Sequence, residues 1–223
     1  MNNNNKRHRK WLRCASFLLC TAVMLTFTSC GKQTSILEGS YSERKSKYVN
    51  KEIGLKWEKP EDLDAYSGTV LEWTVSDSYG YPQFAISDLQ GATYGPTYAI
   101  ALTIYDVEST KFPNDFVAGK EKTDLTAAEV ANQLLLNRLP SDPAKRSLSD
   151  AQISEPTTKK VAGRSYAAQK LVVTHYEREG DTTQSWIALV RKVDHVFVSI
   201  LISYEGDSCD LAIQKAMEGF SKV

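Results

Sequence analysis

Histidine and cysteine are scarce in this chain, three and four in 223 residues, and neither falls at the spacing of a metal site. There is no H-E-x-x-H and no paired Cys/His pattern, so a zinc centre has no signature here. Catalytic motifs are missing too. No G-x-S-x-G elbow is present, and Gly31-Lys32 and Gly119-Lys120 lack the spaced preceding glycine of a phosphate-binding loop. Asp207-Ser208-Cys209-Asp210 is too short for a calcium loop and suits a helix N-terminus instead. Charge of one sign is not in excess either, with 27 basic and 27 acidic residues. Long hydrophobic runs are absent: the most apolar stretch, Cys14 to Phe27, is 14 residues, short of the roughly 20 that span a bilayer.

That stretch is informative because of its flanks. Lys6, Arg7, Arg9, Lys10 and Arg13 precede it, and Phe27-Thr28-Ser29-Cys30 closes it, which is the layout of a cleaved export signal. The closing segment resembles the lipobox of bacterial lipoproteins, with Phe27 where an aliphatic residue is usual. The resemblance implies diacylglyceryl attachment at Cys30, cleavage after Ser29 and residence on the extracytoplasmic face of the cell membrane. An ordinary secretory signal is the alternative, with Cys30 incidental.

Cleavage there changes the balance that matters. The leader holds five of the basic residues and none of the acidic ones, leaving 194 residues with 22 basic and 27 acidic side chains, a formal charge of −5. Nucleic acid is therefore not an expected partner. Cys14 and Cys20 leave with the leader and Cys30 is assigned to the anchor, so Cys209 has no intramolecular partner and no disulfide is expected. The domain must then rest on its hydrophobic core, for which 42% hydrophobic residues are adequate. Cys209 lies one turn before Ile213 in an amphipathic pattern and reads as a small buried side chain.

Three segments follow: a leader (1–29), a polar, Ser- and Lys-rich tether (30–48) and one folded domain (49–223). Val49 to Glu58 alternates around Val49, Ile53, Leu55 and Trp57, with Gly54 at a turn or bulge. Pro60 opens a short helical turn. Thr69–Ser76, Phe84–Leu89 and Tyr98–Val107 have strand periodicity. Thr126 and Glu129 form a capping box, with Leu125 placed to staple onto Val130, and predict an amphipathic helix from Thr126 to Leu139 that stops at Pro140. Ser141–Ser149 reads as a connector. Ser165–Glu177, Ser185–Val193 and Val196–Tyr204 form an antiparallel meander, the last strand apolar on both faces and so central. A terminal helix runs from about Ser208 to Phe220, with Cys209, Ile213, Ala216 and Phe220 on one stripe.

The run Val49-Asn50-Lys51-Glu52-Ile53-Gly54-Leu55-Lys56-Trp57-Glu58-Lys59-Pro60, followed later by a helix, the strand entry Gly163-Arg164-Ser165-Tyr166, three antiparallel strands and a final helix, resembles PsbP-like domains of bacterial lipoproteins. The likeness covers about residues 48–223, with Leu63 where the family has a Trp after the Pro turn. It implies an α+β fold, a single domain with an antiparallel β-sheet flanked by helices, as in the PsbP-like α/β/α sandwich. Members of that family bind rather than catalyse, and none of their metal-site residues is matched here.

Within the mature chain, His175 and His195 are each isolated in or beside a strand and read as structural or solvated. The best candidate binding surface is the pair of turn-rich segments around Tyr79, Tyr81, Tyr94 and Tyr98, because tyrosine offers wide contact area at low entropic cost and Gly80, Pro82, Gly95 and Pro96 shape its presentation. The other reading is that these tyrosines brace their own loops. The sequence thus points to a lipid-anchored, non-catalytic binding or assembly module with a protein partner in the cell envelope, without catalytic residues, metal or cofactor. Two alternatives stand beside it: an envelope-polymer hydrolase using dispersed carboxylates, and a solute-binding lipoprotein of a transporter.

Overall fold

The computed structural model describes residues 36–63, 68–71, 80–88, 98–117, 119–141, 149–176, 181–206 and 209–223, of which 68–71 and 88 are described by backbone alone. Lipidation at Cys30 and the tyrosines Tyr79 and Tyr94 lie outside these residues. Among the described residues, twelve strands arrange into two antiparallel sheets. The small sheet is β1 (Ser40–Ser42), β2 (Lys47–Asn50), β3 (Leu55–Glu58) and β12 (Phe220–Ser221), hydrogen-bonded in that order. The large sheet runs β4 (Gly68–Leu71), β5 (Tyr81–Asp88), β6 (Tyr98–Asp106), β11 (Val196–Glu205), β10 (Thr182–Val193) and β9 (Arg164–His175), with β7 (Ser149–Ile153) and β8 (Thr157–Val161) both on the outer edge of β9.

Period-2 alternation sorts the large sheet into two faces. One face presents Phe84 and Ile86 of β5, Ile100, Leu102 and Ile104 of β6, and Val196, Val198, Ile200 and Ile202 of β11 to a core closed by Leu55, Trp57 and Tyr48 of the small sheet and by Ala212, Ile213 and Ala216 of helix α2 (Asp210–Glu218). Cys209 is a buried thiol in this core. Trp57 is fully buried, its indole Nε1 donating to the Ala216 carbonyl at 2.8 Å, which locks the C-terminal helix to the hairpin. Helix α1 (Ala127–Leu136) covers part of the opposite face with Val130, Ala131, Leu134 and Leu135. Its capping box is complete: Thr126 Oγ1 accepts the Glu129 amide at 3.2 Å and Glu129 Oε2 accepts the Thr126 amide at 2.8 Å. The expected staple pair, Leu125 and Val130, is buried in the same cluster. An antiparallel sheet with helices on its faces is therefore the fold, and β11, flanked by β6 and β10, is the central strand expected from its sequence.

The boundary of the domain differs from the expected one. Residues 36–48 are not a tether: the compact unit begins at Ile36. Asn50 Nδ2 donates to the Ile36 carbonyl at 3.0 Å, Ile36, Leu37 and Tyr41 pack on the core, and Tyr41, Ser42 and Ser40 pair with β2. The clamp is Gln83. A bulge between Pro82 and Phe84 leaves it outside the β5–β6 register, so its side chain is free to reach the N-terminal segment. Gln83 Oε1 accepts from the Gly39 amide at 3.0 Å and from the Tyr48 hydroxyl at 2.9 Å, while Nε2 donates to the Leu37 and Tyr81 carbonyls, each at 3.0 Å. Serines and lysines dominate this stretch, which hides its burial from a composition reading.

Besides β1 and β12, the strands β7 and β8 were not expected from the sequence. β7 and β8 lie on the rim of the sheet with mostly exposed side chains and carry little hydrophobic alternation. β8 enters β9 through Ala162-Gly163, both at positive φ (50° and 66°), a two-residue turn that costs Ala162 an unfavourable left-handed conformation.

Candidate functional site

The two described tyrosines of the turn-rich segments do not form a surface. Tyr98 is 1% exposed and faces the core between the sheets, so its assignment to a contact surface is corrected: as the first residue of β6, opposite Tyr204, it falls in the strand rather than on the preceding loop. Tyr81 packs partly buried against the same core, its hydroxyl 2.8 Å from Ser109 Oγ and its ring under Lys111 at 5.4 Å. That is the geometry of a side chain bracing its own corner. Gly80 beside it is conformationally required, with φ at 79° and the Tyr105 ring 2.7 Å from where a Cβ would stand.

A feature shaped to receive another molecule lies on the other face of the large sheet. Helix α1 packs chiefly over β10 and β9 and reaches β11 only slightly, so the part of the face formed by β6 and β11 is left without a helix. There the side chains are short: Ala99, Ala101 and Thr103 on β6 stand opposite Ser203, Leu201 and Ser199 on β11. The result is a cavity of about 450 Å³, within the range of small-molecule sites. Its floor is this Ala/Ser/Thr row; Pro82, Tyr105, Pro113, Phe116 and Trp186 supply rigid walls; Leu134, Asn137 and Arg138 at the end of α1 form the remaining side. No carboxylate, imidazole or thiol is among these lining residues.

Rigidity comes from the aromatic stack behind the wall. Tyr105 and Phe116 are tilted with ring centres 5.3 Å apart, and Phe112 meets Phe116 edge-on at 5.6 Å. Burial pushes the Tyr105 phenol up to about 12, with the positive charge of Arg138 acting in the opposite direction. The phenol is therefore neutral at ordinary pH. Asn137 is held from both sides, its Nδ2 donating to Asp115 at 2.6 Å and its Oδ1 accepting from Gln133 at 3.1 Å. Arg138 is exposed, and among the described residues no carboxylate pairs with it.

His195, isolated in the sequence, is not isolated in space. The pairing of Val196 with Asp106 brings the β10–β11 turn against the end of β6, so that His195, Asp106 and Glu108 each offer a ligand atom within 4.8 Å of the others. Asp106 Oδ1 is already engaged by the Glu108 amide at 2.9 Å. This cluster could present two oxygens and a nitrogen to a divalent cation, but among the described residues no further His, Cys, Asp or Glu joins it. It is separate from the cavity lining. His175 ends β9 opposite Ser149 and Thr182.

No family model and no curated protein matches the chain. Among solved structures it is similar to the solution structure of cyanobacterial PsbP (CyanoP) from Synechocystis sp. PCC 6803, at 13% identity over 87% of this chain and 98% of that one, with a TM-score of 0.42. It is also similar to LpqN, involved in cell envelope biogenesis of Mycobacterium tuberculosis, at 14% identity, 75% and 82% coverage and a TM-score of 0.41. A protein from Bacteroides thetaiotaomicron VPI-5482 matches at 10% identity over 79% of this chain and 48% of that one, with a TM-score of 0.38. At these TM-scores the likenesses carry no argument about function.

Proposed function

We propose that this chain is a lipid-anchored, extracytoplasmic binding module of the cell envelope, held at a membrane through Cys30 and receiving a ligand in the cavity beside α1. The observation that carries the reading is the cavity itself: a preformed concave site with a floor of short side chains, rigid aromatic and proline walls, and a few polar groups on one side. Binding is favoured over hydrolysis because the described lining supplies no carboxylate for general acid or base work and no activated nucleophile. The anchor follows from the leader and the Phe27-Thr28-Ser29-Cys30 segment, since two acyl chains give the stable attachment that one does not.

Native mass spectrometry of the protein extracted from membranes tests the reading. The wild-type protein should carry a small-molecule adduct that Ala101→Trp, which fills the floor, loses. Ala99→Leu, a gentler filling, should reduce it and guards against misfolding of the first variant. An adduct of equal occupancy in a folded cavity-filled variant, or none in the wild type, overturns the cavity as the site. Cys30→Ala should release the protein from the membrane or leave an uncleaved precursor; membrane attachment that survives with normal cleavage removes the anchor.

A further inference from the structure

We infer that the cavity takes a single-chain anionic amphiphile, an aliphatic chain ending in a carboxylate, with the chain along the Ala/Ser floor and the head at Arg138. The inference rests on the binding reading above and adds the class of ligand. Its first support is what the floor lacks. The backbone amides and carbonyls of β6 and β11 are consumed by pairing with each other and with β5 and β10, so the floor offers a ligand only its side chains. Those are methyl groups, Leu201 and three hydroxyls, of which Ser199 is 1% exposed. A sugar or nucleoside buried on such a floor would leave most of its polar groups without partners, at a cost an aliphatic chain does not incur.

The second support is charge. The ion pairs elsewhere in the described structure engage Lys47 with Glu58, Lys120 with Glu129, and Lys215 with Asp62 and Glu218. Arg138 belongs to none of them, and it lines the cavity. An opposing charge is Asp115, whose carboxylate accepts from Asn137, next to Arg138 in the chain, and acts on Tyr105 against Arg138. The two groups make opposite predictions: Arg138 attracts an anionic head, Asp115 weakens that attraction. A guanidinium also matches a carboxylate with two parallel donors, which a quaternary ammonium or an alcohol does not exploit. A protein held at a membrane by acyl chains is placed where single-chain amphiphiles are released.

The test is calorimetric titration of the full chain carrying Cys30→Ala, which leaves the described residues untouched, with laurate, dodecanol and dodecyltrimethylammonium below their aggregation thresholds. Laurate should bind most tightly, the alcohol about three- to fivefold more weakly, as befits an exposed charge, and the cation more weakly still. Arg138→Gln should bring laurate down to the alcohol and leave the alcohol unchanged; Asp115→Asn should strengthen laurate about twofold; Ala99→Leu should weaken all three. Equal binding of cation and anion, or laurate affinity unmoved by Arg138→Gln, overturns the anionic head. Laurate affinity unmoved by Ala99→Leu in folded protein overturns the location. Anionic vesicles of phosphatidylglycerol form a separate arm: a response to vesicles without one to monomeric laurate would mean bilayer recognition and overturn the proposal. Failure of all three amphiphiles, with the adduct of the native protein still lost in Ala101→Trp, removes the ligand class while leaving the cavity as a binding site.

Discussion

Replacing Gln83 by Leu should detach the first strand of the domain from the rest. The substitution keeps the side-chain volume and removes four hydrogen bonds at once: those from Gly39 N–H and Tyr48 Oη, and those to the Leu37 and Tyr81 carbonyls. Each buried group left without a partner costs about 1–3 kcal/mol. Gly39 and Leu37 sit at the edge of the core, where water can reach them, and the added apolar surface returns roughly 1–2 kcal/mol. The net loss works out at about 2–4 kcal/mol. For a domain of this size that is a fall in melting temperature of roughly 5–15 °C. Urea unfolding followed by far-ultraviolet circular dichroism measures it. Tyr48→Phe sharpens the test: alone it should cost about 1 kcal/mol, and in the Gln83→Leu background almost nothing, because the hydroxyl it removes has already lost its acceptor. Limited proteolysis should then cut at Arg44, Lys45 or Lys47 in Gln83→Leu well before the wild type. Stability within about 0.5 kcal/mol of wild type, or strict additivity with Tyr48→Phe, would refute the clamp and restore a flexible segment up to residue 48.

Gly219→Ala should destabilise by about 1–3 kcal/mol in a melting curve, since its Cβ would stand 2.5 Å from both the Glu58 carbonyl oxygen and the indole nitrogen of Trp57; a neutral result would mean that the C-terminal turn shifts freely. Ala162→Gly should raise stability by up to about 1 kcal/mol by relieving the left-handed conformation at φ 50°, and a loss would mean that the turn is of another type. The carboxyl of Glu129 is held down to about 2, chiefly by Lys120 and then by the Thr126 amide and hydroxyl. A depressed folded value contributes stability above the unfolded pKa of about 4.5, lost as pH falls from there toward 2. Glu129→Gln should therefore flatten the acid limb of the stability profile in that window, by well under 1 kcal/mol for so exposed a group; an unchanged slope counts against the Lys120 pair and the capping box together as its source.

What the sequence displayed and what it concealed divide along physical lines. Thr126, Glu129, Leu125 and Val130 announce α1 because a capping box and its staple act within one turn of chain. The β9–β10–β11 meander is equally legible, since alternation and two short turns operate between neighbours. β7, β8 and β1 were hidden because edge strands with exposed polar faces need no hydrophobic alternation. Tyr98 was misread because the Gly95-Pro96 turn signal extends to a residue whose burial depends on the opposing sheet.

The cavity was hidden for a different reason, and it decides where function should be sought. Ala99, Ala101, Ser199 and Ser203 look in sequence like weak positions of strong strands, interleaved with Ile100, Leu102, Ile200 and Ile202 on the core face. They become a floor because α1 settles over β10 and β9 and leaves this part of β6 without a helix. That choice is fixed by the apolar side of the helix: Val130, Ala131, Leu134 and Leu135 are buried in one cluster with Leu171, Val173, Ala188 and Val190. Apart from Leu134, which belongs to both, the residues that line the site and the residues that create it are thus different sets. Ala101→Trp should abolish ligand uptake with modest loss of stability, whereas Leu135→Ala, fully buried beneath the helix, should cost about 2–5 kcal/mol with uptake retained by the protein that remains folded. A single titration series run alongside melting curves separates the two; uptake lost in proportion to stability for both variants would mean that the cavity has no role apart from the core that surrounds it.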